Sequence, residues 1–119
     1  MLKEFPNLSV SMIAYENGDV YIGQQLKDAR CGLGTMYYEN GDVLITNWYD
    51  DMADGCGVLE KKCGTRYVGK WKNGKLHWKK NQIQYIDGGL YEGSLIDGNV
   101  TGKGTMRYST GEIYQGEWK

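Results

Sequence analysis

YENGDVYIG (Tyr15–Gly23) and YENGDVLIT (Tyr38–Thr46) are two stretches of this 119-residue chain that share their first six letters and lie 23 residues apart. A period between about 20 and 50 residues is typical of stacked repeat architectures. The same spacing continues along the chain, with one inserted residue in the third unit, at Tyr21, Leu44, Tyr67, Tyr91 and Tyr114. We therefore predict one repeat array over residues 9–119, about four units with partial ends, preceded by a capping segment, residues 1–8.

Each unit is predicted to be one β-hairpin. Asn-Gly is the strongest short signal for a type I′ turn, in which both central residues need positive φ. We expect such turns at Asn17-Gly18 and Asn40-Gly41. The flanking residues are rich in Tyr, Val, Ile, Thr and Trp, which favour strands. The second connection of each unit, for example Leu26–Gly32, is expected to be a longer loop.

Aromatic and glycine residues are predicted to share one face of the sheet. Because side chains alternate across a strand, Tyr67, Gly69 and Trp71 point the same way. In the partner strands, Gly-x-Gly pairs such as Gly32 and Gly34 fall on that face too. Glycine weakens a strand unless another group approaches its backbone closely. We expect aromatic rings of neighbouring strands to lie flat on these glycines.

Tyr-x-Gly-x-Trp, then Gly-x-Gly, then Asp/Asn-Gly resembles the MORN repeat (membrane occupation and recognition nexus). YVGKWKNGKLH (Tyr67–His77) and YEGSLIDGNVTGKGTMRYSTGEIYQGEWK (Tyr91–Lys119) carry this resemblance most completely, and it extends from about Ser9 to the C-terminus. The resemblance implies an all-β fold, an elongated single-layer antiparallel sheet of stacked β-hairpin repeats. Nine or ten strands at about 4.8 Å each would span roughly 45 Å.

The family resemblance also implies a function. MORN proteins serve as scaffolds in cytoskeletal and ciliary assemblies and at membrane junctions. We therefore expect a non-enzymatic scaffold or adaptor that holds an extended or helical segment of a partner protein in its aromatic, glycine-lined groove. The resemblance further implies elongated dimers, and we expect self-association through the strand EIYQGEWK (Glu112–Lys119) as an open sheet edge.

The third unit breaks the pattern. It has Trp78 and Lys80 where other units have Gly-x-Gly, and its inserted residue predicts a bulge. One interpretation is decay of the repeat. The other is a partner-binding spot, because bulky tryptophans often anchor interfaces. The predicted partner-binding residues are Tyr67, Trp71, Trp78, Lys80 and Trp48.

Basic residues concentrate in the same unit. Residues 61–80 hold eight basic residues and no acidic residue, whereas the other 99 hold six basic and 15 acidic residues. One interpretation is a solvated lysine-rich face, which also discourages strand pairing. The alternative is a docking patch for an acidic partner or for anionic phospholipid. The residues of this patch, on the face opposite Tyr67 and Trp71, are Lys62, Arg66, Lys70, Lys72 and Lys79.

Catalytic and metal sites are not expected. His77 is the only histidine, in a hairpin turn, and no nucleophile constellation can be built around it. Cys31, Cys56 and Cys63 lack paired spacing, so a zinc site is disfavoured and reduced intracellular thiols are favoured. We expect no enzyme activity, cofactor, metal or nucleic-acid partner. No apolar segment resembles a signal peptide or membrane span, which predicts a cytoplasmic protein, in some settings associated with cytoskeleton or membrane.

Overall fold

The computed structural model describes residues 9–77, 79–96 and 99–118, which form eleven strands and no helix. The strands are β1 (Ser9–Ala14), β2 (Val20–Leu26), β3 (Ala29–Tyr37), β4 (Val43–Tyr49), β5 (Met52–Glu60), β6 (Arg66–Lys72), β7 (Lys75–Leu76), β8 (Asn81–Gln84), β9 (Leu90–Ile96), β10 (Asn99–Arg107) and β11 (Ile113–Trp118). The predicted cap, residues 1–8, lies outside the described residues.

All strands belong to one antiparallel sheet in which neighbours follow chain order. The exception is β7, a two-residue strand that pairs with β6 beside β8. The described part of the chain measures 48 × 32 × 21 Å, so the sheet is elongated. The predicted all-β fold, a single-layer antiparallel sheet of stacked hairpins, is confirmed. Within the described residues β11 pairs only with β10, and self-association through β11 stays a prediction.

The Asn-Gly turns differ from the prediction. Gly18 has a φ of 97°, but Asn17 is not among the residues with positive φ. The Gly18 amide donates to the Tyr15 carbonyl at 3.1 Å, and the Tyr15 amide donates to the Asp19 carbonyl at 2.9 Å. This is a three-residue hairpin loop, a type I turn followed by a left-handed glycine, so the type I′ prediction is wrong. Asn17 acts instead through its side chain, whose Oδ1 accepts from the Asp19 amide at 3.0 Å.

Type I′ turns lie at the other end of the hairpins β2–β3 and β4–β5. Lys27 and Asp28, which join β2 to β3, have φ values of 50° and 67°. Asp50 and Asp51 repeat this between β4 and β5, with φ values of 49° and 68°. These connections are two residues long, so the expected longer loops are wrong. The residues assigned to those loops by sequence continue the strands instead.

Tyrosine rings lie on bare glycine backbone, as predicted. Tyr21 is fully buried, and a Cβ added at Gly34 would collide with its ring. Tyr91 has the same relationship to Gly104. The Tyr21 hydroxyl then donates to the Gln24 carbonyl at 2.7 Å, which fixes the ring across its own strand. In the second unit the expectation fails at Gly57, where Thr46 occupies the space instead of a ring.

The first glycine of each Gly-x-Gly pair has a different task. Gly23 pairs with Gly34 and Gln25 with Arg30, so one residue of β2 faces three of β3. Gly32 lies in this bulge with a φ of 89°, a conformation that side chains other than glycine rarely adopt. In the first and fourth units Gly-x-Gly therefore combines a bulge glycine with a glycine that receives a ring.

The buried side chains form two clusters along the sheet. The first centres on Tyr21, Trp48 and Trp71, and the second on Ile83 and Tyr91. Leu76 packs against both clusters. The core is therefore divided at the third unit, where β6 meets β7 and β8.

Candidate functional site

The third unit contains the predicted bulge. Trp71 pairs with Leu76, and Val68 pairs with Gln82. Two residues of β6 therefore face five residues of the segment between β7 and β8. In the second unit the equivalent interval, between Thr46 and Trp48, has one residue facing three. The inserted residue predicted from sequence therefore lies in the segment 77–81. Lys80 has a φ of 57° and turns the chain into β8.

Asn81, not Lys80, takes the place of the second glycine. A Cβ added at Gly69 would collide with the Asn81 side chain, which has 1% of its surface exposed. Asn81 Nδ2 donates to the His77 carbonyl at 2.6 Å, whereas its Oδ1 has no hydrogen-bond partner among the residues that the structure describes. The predicted assignment of Lys80 to this glycine position is wrong because the extra residue precedes Asn81. Trp78 lies outside the described residues.

Tyr67 differs from the other tyrosines at its repeat position. Tyr21 and Tyr91 are fully buried and donate their hydroxyls to backbone carbonyls. Tyr67 is half-buried, and its hydroxyl makes no hydrogen bond within the described part of the chain. The Lys70 carbonyl, three residues on, accepts instead from the His77 amide at 2.7 Å. The Asn81 side chain over Gly69 removes the space in which the Tyr67 ring would lie flat.

The predicted tryptophans are core residues. Trp48 and Trp71 each expose 5% of their surface. The Trp48 indole nitrogen donates to the Gly34 carbonyl at 3.2 Å, and its ring meets Tyr21 edge-on at 5.6 Å. Burial leaves these two indoles little surface to offer a partner in this conformation. Their predicted role in partner binding remains untested.

A second row of tyrosines, missed by the sequence analysis, borders the same face. We call them the outer tyrosines; each immediately precedes a hairpin loop, and they are Tyr15, Tyr38, Tyr85 and Tyr108. Tyr108 is 45% exposed and the others are half-buried. Their hydroxyls make no hydrogen bond within residues 9–77, 79–96 and 99–118. Burial raises the pKa of Tyr15, Tyr38 and Tyr85, so these hydroxyls stay protonated at neutral pH. Their sequence signal is tyrosine at the repeat period.

Lys61 takes the outer position in the third unit. Its ammonium group pairs with Asp42 Oδ2 at 2.8 Å, and the Lys62 amide donates to Asp42 Oδ1 at 2.9 Å. The Lys61 hydrogen bond, followed by the Lys62 amide, lowers the pKa of Asp42. Asp42 therefore ties one hairpin loop to the next, as Asp19 does through the Glu39 amide at 2.8 Å.

Arg30 covers the first aromatic cluster. Its guanidinium carbon lies 4.8 Å from the Trp48 ring centroid and 5.5 Å from that of Tyr15. Its Nε pairs with Asp51 Oδ1 at 2.6 Å, and the Arg30 side chain is 18% exposed. Burial alone would raise the pKa of Asp51, but the hydrogen bonds and charge of Arg30 outweigh it and lower that pKa. No pattern in the sequence singled out Arg30.

Four lysines of the third unit gather at the C-terminal end of β6. A pocket of about 510 Å³ is lined by Asp54, Trp71, His77 and four lysines, namely Lys70, Lys72, Lys79 and Lys80. Arg66, Lys70 and Lys72 lie opposite Tyr67 and Trp71, as the alternation argument predicted. Lys62 lies elsewhere, in the loop between β5 and β6, beside Gly41.

The described residues show neither a metal-binding cluster nor a membrane-spanning helix. The described residues contain no group of three His, Cys, Asp or Glu side chains that could hold a metal ion. Cys31, Cys56 and Cys63 form no disulfide; Cys31 is buried and the other two are exposed. Within the same residues no helix is long and apolar enough to cross a bilayer.

Comparison with family models identifies the repeat. The MORN repeat model matches residues 21–43, 47–64, 67–77 and 91–113. The match thus covers more than half of the chain. The gap between residues 77 and 91 contains the bulge and β8, where Asn81 replaces the glycine.

Proposed function

Because the chain belongs to the MORN repeat family, whose repeats are typical of binding and scaffold proteins, we propose that it is a non-enzymatic adaptor for a partner protein. The partner segment lies along the sheet face that carries Tyr21, Trp48 and Trp71, which we call the aromatic face. It contacts the outer tyrosines together with Tyr67. Trp48 and Trp71 support this surface from beneath and do not contact the segment.

The observation that carries the proposal is the row of unbonded tyrosine hydroxyls. Tyrosine combines a large apolar ring with a polar tip, and it is enriched at interfaces for that reason. From Tyr15 to Tyr108 the row crosses eight strand steps, about 38 Å at roughly 4.8 Å per step. An extended segment of about 12 residues would span it at roughly 3.3 Å per residue. Tyrosine hydroxyls spaced along such a segment can form hydrogen bonds with its backbone carbonyls and amides.

A double substitution of outer tyrosines tests this function. We expect Tyr38→Ala with Tyr85→Ala to lose proteins that wild type captures from cell extract, quantified by mass spectrometry. The matched control is Tyr37→Ala, since Tyr37 is adjacent to Tyr38, 44% exposed and on the opposite face. Partners kept by the double variant, or lost only by Tyr37→Ala, would contradict binding at the aromatic face.

A second candidate function is peripheral binding to anionic phospholipid. It is favoured by one observation, the convergence of Lys70, Lys72, Lys79 and Lys80 on one pocket. Binding through exposed lysines should weaken as ionic strength rises, because salt screens such charges. We expect wild type to float with phosphatidylserine vesicles at low salt, and Lys70→Glu with Lys72→Glu to remain unbound. The control pair is Lys103→Glu with Arg107→Glu, two exposed residues on β10. Wild type that fails to float at low salt removes this candidate.

A further inference from the structure

The sheet has a second face, opposite Tyr21, Trp48 and Trp71, which we call the open face. One row of cross-strand partners crosses it from β1 to β6 and is apolar except for one threonine: Met12, Ile22, Thr35, Ile45, Val58 and Val68. The same row continues from β8 to β11 as Gln82, Glu92, Thr105 and Gln115. The strand pairing continues without a break along this row, so the change from apolar to polar lies in the side chains.

The apolar half of this row is exposed from Met12 to Ile45 except at Thr35, and Val58 and Val68 are half-buried. Met12 is 67% exposed, Ile22 44% and Ile45 45%. Leu33, beside the row, is 60% exposed. No other element of the described chain lies over this half, because the sheet is a single layer. Contiguous apolar surface of this kind is typical of interaction sites.

The apolar half ends at two lysines. A shallow groove of about 590 Å³ runs past Leu33, Ile45, Val58 and Val68 to Lys70 and Lys80. Among the described residues that line it there is no carboxylate. An occupant that matches this groove is apolar along its length and negatively charged at one end.

We propose that the open face binds an amphipathic α-helix of a partner protein, with its acidic C-terminal end over Lys70 and Lys80. From Met12 to Val68 the row crosses five strand steps, about 24 Å at roughly 4.8 Å each. At about 1.5 Å per residue this is the length of a helix of roughly 16 residues. The pitch of a helix, about 5.4 Å, is close to the strand spacing, so each turn presents one apolar side chain per strand. The C-terminal end fits the lysines because the helix dipole is negative there.

A second copy of this chain fits the open face less well. A two-fold packing of two open faces would bring the β1–β2 end of one copy over Lys70 and Lys80 of the other. The open-face side chains at that end include Val10, Met12, Ile22 and Gln24, and neither β1 nor β2 contains an acidic residue. This proposal does not depend on the aromatic face, and substitutions of the outer tyrosines leave the open face unchanged.

Two synthetic peptides of identical composition provide the probe. Both are amphipathic helices of about 16 residues with leucine at helical spacing. One carries a run of glutamates at its C-terminus and the other carries it at its N-terminus. We expect the full-length chain to bind the first about tenfold more tightly than the second, measured by fluorescence anisotropy. Equal affinities, or no saturation by about 100 µM, would overturn the proposal.

Substitutions of the chain locate the binding. Ile22→Thr with Ile45→Thr keeps β-branched residues at both positions. This double variant should bind the C-terminally acidic peptide at least about tenfold more weakly than wild type. Gln115→Thr, in the polar half of the same row, should change the affinity for this peptide less than about twofold. Lys70→Gln with Lys80→Gln should abolish the preference between the peptides, whereas Lys103→Gln should preserve it. A thermal melt of each variant checks that it is folded.

Other occupants give distinct results. A wild-type dimer in light scattering that Ile22→Thr with Ile45→Thr converts to monomer would assign the face to a second copy and overturn the proposal. If wild type floats with vesicles, the same double variant does not, and neither peptide binds specifically, the open face would be assigned to membrane binding. Peptide affinity unchanged in that variant would show that the peptide binds elsewhere.

Discussion

The Tyr91 ring lies directly on the backbone of Gly104, so closely that a Cβ at Gly104 would overlap the ring. The tyrosine hydroxyl donates to the Ser94 carbonyl, three residues further along its own strand β9, at 2.8 Å. Each partner therefore needs the other, since the ring requires a residue without a side chain and the glycine requires a group that covers its backbone.

Gly104→Val should destabilise the protein. The added methyl groups would force the fully buried Tyr91 ring out of its place, and overpacking of this kind costs about 1 to 3 kcal/mol. Thermal and urea unfolding measure the loss. Thr105→Val, the next residue on the opposite face, is the matched control and should leave the free energy of unfolding nearly unchanged. Equal losses in both variants would contradict the ring–glycine contact.

Tyr21→Phe and Tyr38→Phe should separate the two classes of tyrosine. Tyr21 loses the hydrogen bond to the Gln24 carbonyl, and a bond of this type contributes about 1 kcal/mol. Tyr38 has no such bond, so its phenylalanine variant should unfold at the same urea concentration as wild type. If Tyr38→Phe were as costly as Tyr21→Phe, the outer tyrosines would have a structural role.

Arg30→Gln should loosen the first aromatic cluster. The guanidinium group contacts Trp48 and pairs with Asp51 while largely shielded from solvent, so we expect a loss of about 1 to 2 kcal/mol. Tryptophan fluorescence should shift because the indole loses its cover. Arg107→Gln, at an exposed position, provides the comparison. It should alter neither the free energy of unfolding nor the tryptophan fluorescence.

The Asp42–Lys61 pair should make stability depend on pH. Because the pKa of Asp42 is lowered below its unfolded value of 3.8, the ionised carboxylate favours the folded state. This contribution is complete above the unfolded pKa and is lost as pH falls through the folded pKa. The difference in unfolding free energy between wild type and Asp42→Asn should therefore be largest near neutral pH and should shrink below pH 3.8. A difference independent of pH would contradict the role of the charge.

Much of the fold could be predicted because the repeat is visible in single residues. The period and the alternation of Tyr67 with Arg66 place these side chains on opposite faces, and the structure agrees. The turn chemistry could not be predicted, because Asn17 favours both a type I′ turn and the side-chain hydrogen bond that it makes here. Both choices are local and both place Gly18 at positive φ, so the sequence does not distinguish them.

The candidate site was harder to predict than the fold. Sequence placed Trp48 on the aromatic face, but it did not reveal that the indole would lie against Gly34 and be buried. Asn81 was missed because an inserted residue shifts the register by one, and only strand pairing shows on which side of Lys80 the shift occurs. The outer tyrosines were visible at the repeat period, but the spacing does not distinguish a bonded hydroxyl from an unbonded one.

The division of the core at the third unit has a mechanical consequence. Between β6 and β8 the two clusters share Leu76, and the strand opposite β6 is interrupted from His77 to Lys80. If one end of the array is anchored and the other is pulled, we expect the sheet to part at this junction, because among the described residues Leu76 is the one side chain that both clusters share. The two halves then come apart as intact pieces, each with its own tyrosines on glycine, and a tether attached to either half limits the tension that reaches the other.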